Sequence, residues 1–289
     1  MKTKADIKPL LRPHRDVLGE GPLYSPARQA LFWTDIKGRA LNSLDLVSGE
    51  VSRWDLPLML GWLIEREGAD SFLCGVETGF AWLDLDPLTV TPFFDPEPHL
   101  PGNRLNDAKA DAHGAVYAGT MHKEGAGLEG AFFRLAPDLS VRKLDSDYGV
   151  ANGPAFSLDG RVLYHTDSNR RTIYAFDVEP DGGLCNKRVF IKFPDDWGYP
   201  DGMTLDAEGG LWVAHWDGAR ISRYSPDGVI DRSIAMPCSR PTSIAFAGSD
   251  FDRMFVTSAS EDRLDEPLSG ALFELSPGVR GLPAGRFAG

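Results

Sequence analysis

A unit of roughly 46 residues recurs about six times along this chain, and a period of that length restricts the fold to arrays or closed rings of small supersecondary units. The clearest copy opens at Asn152. A short apolar strand over Ala155 to Ser157 reaches the turn Leu158-Asp159-Gly160, and Val162 to Thr166 reads as the returning strand. Asp-Gly between alternating apolar residues is a strong hairpin signal. Thr172 to Asp177, a turn at Asp181-Gly182-Gly183 and Lys187 to Phe193 complete four antiparallel strands, the content of one propeller blade. The next copy repeats the plan from Pro200-Asp201-Gly202, through Leu211 to His215 and Ala219 to Tyr224. Others begin near Glu20, Leu60, Asn106 and Pro241.

No stretch of ten or more residues carries helical periodicity, and the 31 glycines and 21 prolines fall mainly between the strand-like runs. The expectation is an all-β fold, a six-bladed β-propeller of four-stranded antiparallel blades, forming a single domain over residues 1–289. The last copy supplies Ile244 to Phe246, Met254 to Ser258 and Ala271 to Leu275, then a Gly/Pro-rich tail. Its outer strand is expected from the N-terminal segment before Val17, which would close the ring and remove exposed edges.

The formal charge of −12 opposes nucleic-acid and anionic-membrane partners, which the summed field would repel. No apolar run reaches the length of a bilayer span, and Met1 to Leu11 mixes lysines and Asp6 with short apolar stretches, so no secretory signal is expected. Cys74, Cys185 and Cys238 are odd in number and widely spaced. They fit neither a disulfide framework nor a structural zinc site, which points to a reducing cytoplasm.

Four of the repeat openings carry oxygen donors: Glu20-Gly21-Pro22, Asn106-Asp107-Ala108, Asn152-Gly153-Pro154 and Asp201-Gly202-Met203. Leu60-Gly61 and Pro241-Thr242 open the other two. Asn, Asp and Glu beside Gly also build ordinary turns. Equivalent positions in a ring of repeats would face one axis, however, where carboxylates need a compensating cation or proton. Hard oxygens without His or Cys suit Ca²⁺, Mg²⁺ or Mn²⁺ better than tetrahedral zinc. Asn103-Arg104-Leu105-Asn106-Asp107 is the densest polar cluster, and it sets Arg104 and Asn106 on one strand face, two residues apart. Glu124, and more weakly His122, fall in the loop that leaves the next strand over the same mouth. His165 and His215 occupy matching second-strand positions that suit a structural role. Gly-x-Ser-x-Gly, HExxH, P-loop and Rossmann signatures are absent, which argues against acyl-enzyme chemistry and nucleotide binding.

Taken together, Gly-Glu-Gly-Pro, Asn-Arg-x-Asn-Asp, Ala-Gly-Thr-Met, Asn-Gly-Pro, His-Thr-Asp and Pro-Asp-Gly resemble the SMP-30/gluconolactonase/LRE-like family, in register from about Leu18 to Ser260. That family includes bacterial sugar lactonases and regucalcin. Gly153-Pro154 and Tyr199-Pro200 most resemble the sugar-lactonase branch. The resemblance implies one divalent cation (Ca, Mn, Mg, Zn or Fe) held by Glu20, Asn152 and Asp201. It makes Arg104, Asn106 and Glu124 substrate contacts, and Asp201 also the proton acceptor. The implied reaction is hydrolysis of a five- or six-carbon aldonolactone to the free sugar acid. The alternatives are a calcium-binding regulatory propeller, a metal-free interaction scaffold, and an esterase or phosphotriesterase acting from the same site.

Overall fold

The computed structural model describes residues 6–289. Met1 to Ala5, the start of the stretch expected to hold no secretory signal, lie outside the described residues. Six four-stranded antiparallel sheets build a six-bladed β-propeller, and the only helical element among the described residues is the three-residue turn Asp195–Trp197. The first strands of the blades are Gly19–Ser25, Leu60–Glu65, Asn103–Ala110, Ala151–Phe156, Tyr199–Leu205 and Pro241–Ala247. Each pairs with the next strand in sequence.

Turn chemistry explains why the chain folds back where it does. Asp111 Oδ1 accepts from His113 N at 2.8 Å and Ala115 N at 2.9 Å, while Asp206 Oδ1 accepts from Glu208 N at 3.0 Å and Gly210 N at 2.8 Å. Gly114 (φ +79°) and Gly209 (φ +83°) supply the left-handed residue in these two tight loops.

The chain divides into two compact units. Met1–Met59 with Phe193–Pro283 carries the first, fifth and sixth blades, and Leu60–Lys192 with Ala284–Gly289 carries the second, third and fourth. In the first unit, Trp212, Ile221, Phe246, Met254 and Phe273 fill one apolar cluster, and Leu31, Trp33, Phe255 and Leu272 another. The expected N-terminal closure is present there: Lys8–Leu10 pairs antiparallel with Leu272–Leu275 as the outer strand of the sixth blade. In the second unit, Tyr117, Phe132, Tyr148, Leu163 and Phe176 pack together between the third and fourth blades.

One irregularity repeats in all six blades. The pairing of first strand with second slips by one residue between Glu20 and Leu23, Leu60 and Trp62, Leu105 and Ala108, Asn152 and Ala155, Pro200 and Met203, and Pro241 and Ile244. Each slip is a β-bulge, and it lies at the head of the strand, where the oxygen donors sit.

The C-terminal tail, expected to have little strand character, is structural all the same. Gly281 bridges to Asp206 in the first unit. In the second, Phe287 bridges to Arg66 and is wholly buried against Trp62, Leu73, Phe80, Leu105 and Val116. Removing a side chain so enclosed forfeits both its transfer energy and the contacts around the hole it leaves. Phe287→Ala is expected to lower the stability measured by urea unfolding by about 3–5 kcal/mol.

Candidate functional site

In the second unit the structure brings three of the expected residues into one hydrogen-bonded chain. Arg104 Nη1 donates to Asn106 Oδ1 at 2.7 Å and to Leu105 O at 3.0 Å. Asn106 Nδ2 donates to Asn152 Oδ1 at 3.1 Å and to Ala151 O at 2.9 Å, and Asn152 Nδ2 donates to Ser168 Oγ at 3.2 Å. All four side chains are buried. The chain orients every amide in it: Asn106 turns its oxygen to the guanidinium and its nitrogen to Asn152, so the Asn152 oxygen faces Asn106 and not Ser168. Ser168 was not singled out from sequence. Ser168 follows His165-Thr166-Asp167, 16 residues after Asn152, and that separation gives no sign that its hydroxyl returns to the strand opening at Asn152.

Asp107 lies beside this chain, its carboxylate accepting from Gly153 N at 2.9 Å and Ala108 N at 2.7 Å. Burial pushes Asp107 up and its neighbour Lys109 down, each countered by the other's charge. Lys109 also escaped the sequence reading.

In the first unit, Glu20 and Asp201 are buried carboxylates. Glu20 Oε2 accepts from the following amide, Gly21 N, at 2.9 Å, and Glu20 O accepts from Thr34 Oγ1 at 3.3 Å. The bulges refine the expected equivalence of the four openings. Glu20 and Asn152 are the last paired residues before their bulges, whereas Asn106 and Asp201 stand one residue further on, inside theirs. An inserted residue breaks strict strand alternation, so neighbouring positions in different blades need not face opposite sides.

Glu124 is exposed in the turn after Val116–His122, its amide donating to His122 Nδ1 at 3.2 Å. No described hydrogen bond or ion pair joins its carboxylate to Arg104, Asn106 or Asn152. The same holds for His122, whose ring instead covers Gly102.

Full-length similarity supports the reading of these motifs. The sequence profile described as SMP-30/Gluconolactonase/LRE-like region matches residues 18–260. The chain belongs to this family. It is 37% identical over 289 residues to L-arabinolactonase of Azospirillum brasilense, covering 97% of this chain and 95% of the relative. It is 33% identical over 279 residues to 6-deoxy-6-sulfogluconolactonase of Pseudomonas putida, covering 94% and 96%. Among solved structures, the calcium-binding protein regucalcin of Agrobacterium tumefaciens superposes with a TM-score of 0.91 at 31% identity, over 96% of each chain. In this SMP-30/gluconolactonase member, no three His, Cys, Asp or Glu side chains among the described residues gather as a metal cluster. The donors of Glu20, Asn152 and Asp201 are all hard oxygens, which fits a divalent cation of the Ca²⁺, Mg²⁺ or Mn²⁺ type.

The two second-strand histidines are part of the packing. His165 is stacked on Phe132 at 3.8 Å between ring centroids and edge-on to Tyr148, with neither ring nitrogen hydrogen-bonded. His215 lies 4.4 Å from Phe193 and meets Trp197 O at 3.0 Å through Nδ1. Burial lowers both to about 3 from the ordinary 6.5. Between those values the unfolded chain binds more protons than the folded one. Stability complete above pH 6.5 is therefore lost on acidification, by about 1.4 kcal/mol per pH unit for each histidine. Asp16 opposes this, because burial raises it from 3.8 to about 6 and the folded state gains its proton first. Two imidazoles outweigh one carboxyl. Unfolding free energies measured from pH 7 to pH 4 should fall with pH, and His165→Leu should make that slope shallower by about 1.4 kcal/mol per pH unit.

Proposed function

We propose that this chain hydrolyses the lactone of a sugar acid, five or six carbons long, to the free aldonate, as one propeller domain over residues 1–289. The observation that carries the reading is the buried chain from Arg104 through Asn106 and Asn152 to Ser168. It sets a guanidinium and two oriented amides at the heads of adjacent strands, an arrangement suited to a polar, oxygen-rich ligand that develops negative charge. Identity of 37% over nearly the full length of an L-arabinolactonase supports the same chemistry.

In this reading Glu20, Asn152 and Asp201 hold one divalent cation. Such a cation, when bound, supplies Lewis acidity toward a carbonyl oxygen or a water. Asp201 takes the proton of the attacking water as its oxygen bonds to the lactone carbonyl carbon. The ring C–O bond then breaks, and the proton passes to the departing ring oxygen, which leaves as the new hydroxyl of the sugar acid. Arg104 orients the ring and stabilises the oxyanion, then pairs with the carboxylate of the product. Asn106 positions Arg104 through its Oδ1 and Asn152 through its Nδ2. Glu124 is proposed to reach substrate hydroxyls from the turn over the site.

A calcium-binding protein without catalysis is the second reading, favoured by the fold similarity to a regucalcin. The cytoplasm is the proposed compartment: all three cysteines are free, two of them buried, and among the described residues no helix is long and apolar enough to cross a membrane.

Proton release at mildly acidic pH, from a panel of pentono- and hexonolactones, tests the reading. Turnover should vanish on chelation and return with a divalent metal. Asp201→Ala should stay folded and lose about 10²- to 10⁴-fold in kcat/KM. A wild-type protein that accelerates no lactone with any divalent metal overturns the hydrolase reading and leaves the calcium-binding one.

A further inference from the structure

Asp107 stands beside Arg104 and Asn106, yet the steps of hydrolysis give it no task. Its two oxygens point in different directions. Oδ1 accepts from Ala108 N at 2.7 Å, which folds the carboxyl group back over its own strand. Oδ2 accepts from Gly153 N at 2.9 Å, in the first strand of the next blade and 46 residues away. Asn106, the residue before it, reaches the same stretch through Nδ2, donating to Ala151 O at 2.9 Å and to Asn152 Oδ1 at 3.1 Å. Two consecutive side chains of the third blade therefore grip three consecutive residues of the fourth.

A regular strand forbids such a grip, because neighbouring side chains point to opposite faces. The pairing slip between Leu105 and Ala108 brackets both Asn106 and Asp107, and a bulge re-aims the residues inside it. On the receiving side, the carbonyl of Ala151 belongs to the rigid peptide plane before the Asn152 Cα, and the N–H of Gly153 to the plane after it. Asn106 pins the first plane and Asp107 the second. With both planes held, the direction in which the Asn152 side chain leaves the backbone is fixed from the third blade. The second plane is the softer of the two: Gly153 stands at φ +34° inside the bulge and, without a Cβ, tolerates φ of either sign. It needs an anchor from outside its own strand, and Asp107 Oδ2 supplies one.

We propose that Asp107 is a positioning residue for the cation site, aiming Asn152 by holding the amide that follows it. The inference rests on the reading of Asn152 as a cation ligand and adds to it the residue that keeps this ligand in place. Asp107 itself touches neither substrate nor cation; it acts through Gly153.

Titrating metal-stripped protein with Mn²⁺, and following free Mn²⁺ by its paramagnetic resonance, tests this without a substrate. Losing a group that orients a metal ligand costs about 10- to 100-fold in affinity, and Asp107→Ala should raise the Mn²⁺ Kd by that factor. Asp107→Asn has the same shape but meets one of the two N–H groups with its own NH₂, so one hydrogen bond is lost and the Kd should rise by about three- to tenfold. Its lactone turnover should fall at limiting Mn²⁺ and recover at saturating Mn²⁺. Asp111→Ala is the matched control: Asp111 Oδ1 accepts from His113 N at 2.8 Å and Ala115 N at 2.9 Å just past the other end of the same strand, away from every proposed ligand. That variant should unfold at a lower temperature and keep the wild-type Mn²⁺ Kd. An unaltered Kd in both Asp107 variants overturns the proposal, and so does an equal rise in Asp111→Ala. The expected weakening in a protein that opens no lactone overturns the hydrolase reading and leaves Asp107 in its positioning role. A wild type that binds no divalent ion overturns the cation reading and this inference with it.

Discussion

The one-residue slip between first and second strand is the constraint on which the rest of the molecule depends. A regular antiparallel pair fixes side chains alternately on opposite faces. Inserting one residue near the head of each first strand bends it and re-aims the residues at that point, while the remainder of the strand stays in the ladder. The backbone pays for this with special conformations: Gly21 at φ +52° and Gly153 at φ +34° follow Glu20 and Asn152 within their bulges. At the matching place in the second blade, a Cβ on Gly61 would lie 2.8 Å from Asn106 O. Where Gly61 permits that approach, the backbone carrying Asn106 can pack against the second blade with no side chain between them.

Burying Arg104 among amides is the second condition. A guanidinium out of water is costly unless its donors are met. Here one nitrogen is shared between a backbone carbonyl and Asn106, whose own amide is oriented by Asn152 and Ala151. The chain bears a net charge of −12, yet the third blade's first strand buries the guanidinium of Arg104. Local positive charge in a globally acidic protein suits a ligand that is neutral on entry and anionic on leaving. Burial raises Asp107 and lowers Lys109, each favouring its neutral form, so the pair adds little net charge beside Arg104.

The sequence announced the blades because blade-making is local. Alternation, Asp-Gly turns and the period carry the signal, and the second strands Val162–Asp167, Leu211–Trp216 and Arg253–Ser258 all contain the runs read from the sequence. The outer strand Lys8–Leu10 could be inferred from what the sixth blade lacked. The bulge offset could not be read, because whether Asn106 or Leu105 is the last paired residue depends on a ladder formed with the neighbouring strand. Ser168 was hidden for the same reason. Phe287 carries no periodicity, since a single aromatic anchored through one bridge needs none, and Glu97 sits in a Pro-rich connection whose composition suggests only a loop.

Orphaned polar atoms do not by themselves mark binding residues. His165 and Glu97 both hold buried polar atoms without partners, and burial alone does not distinguish them. Around His165 the space is closed by Phe132 and Tyr148, so its nitrogens are met by aromatic carbon, and the neutral ring is retained as packing. Glu97 holds Asn103 Nδ2 through Oε2 at 2.9 Å, and its Oε1, exposing almost no surface, is enclosed by the packing as the His165 nitrogens are. The energetic cost of an unmet acceptor is recovered only when something can enter and donate to it. An orphan sealed by its surroundings, whether rings or a neighbouring loop, is a cost of folding that the packing around it offsets.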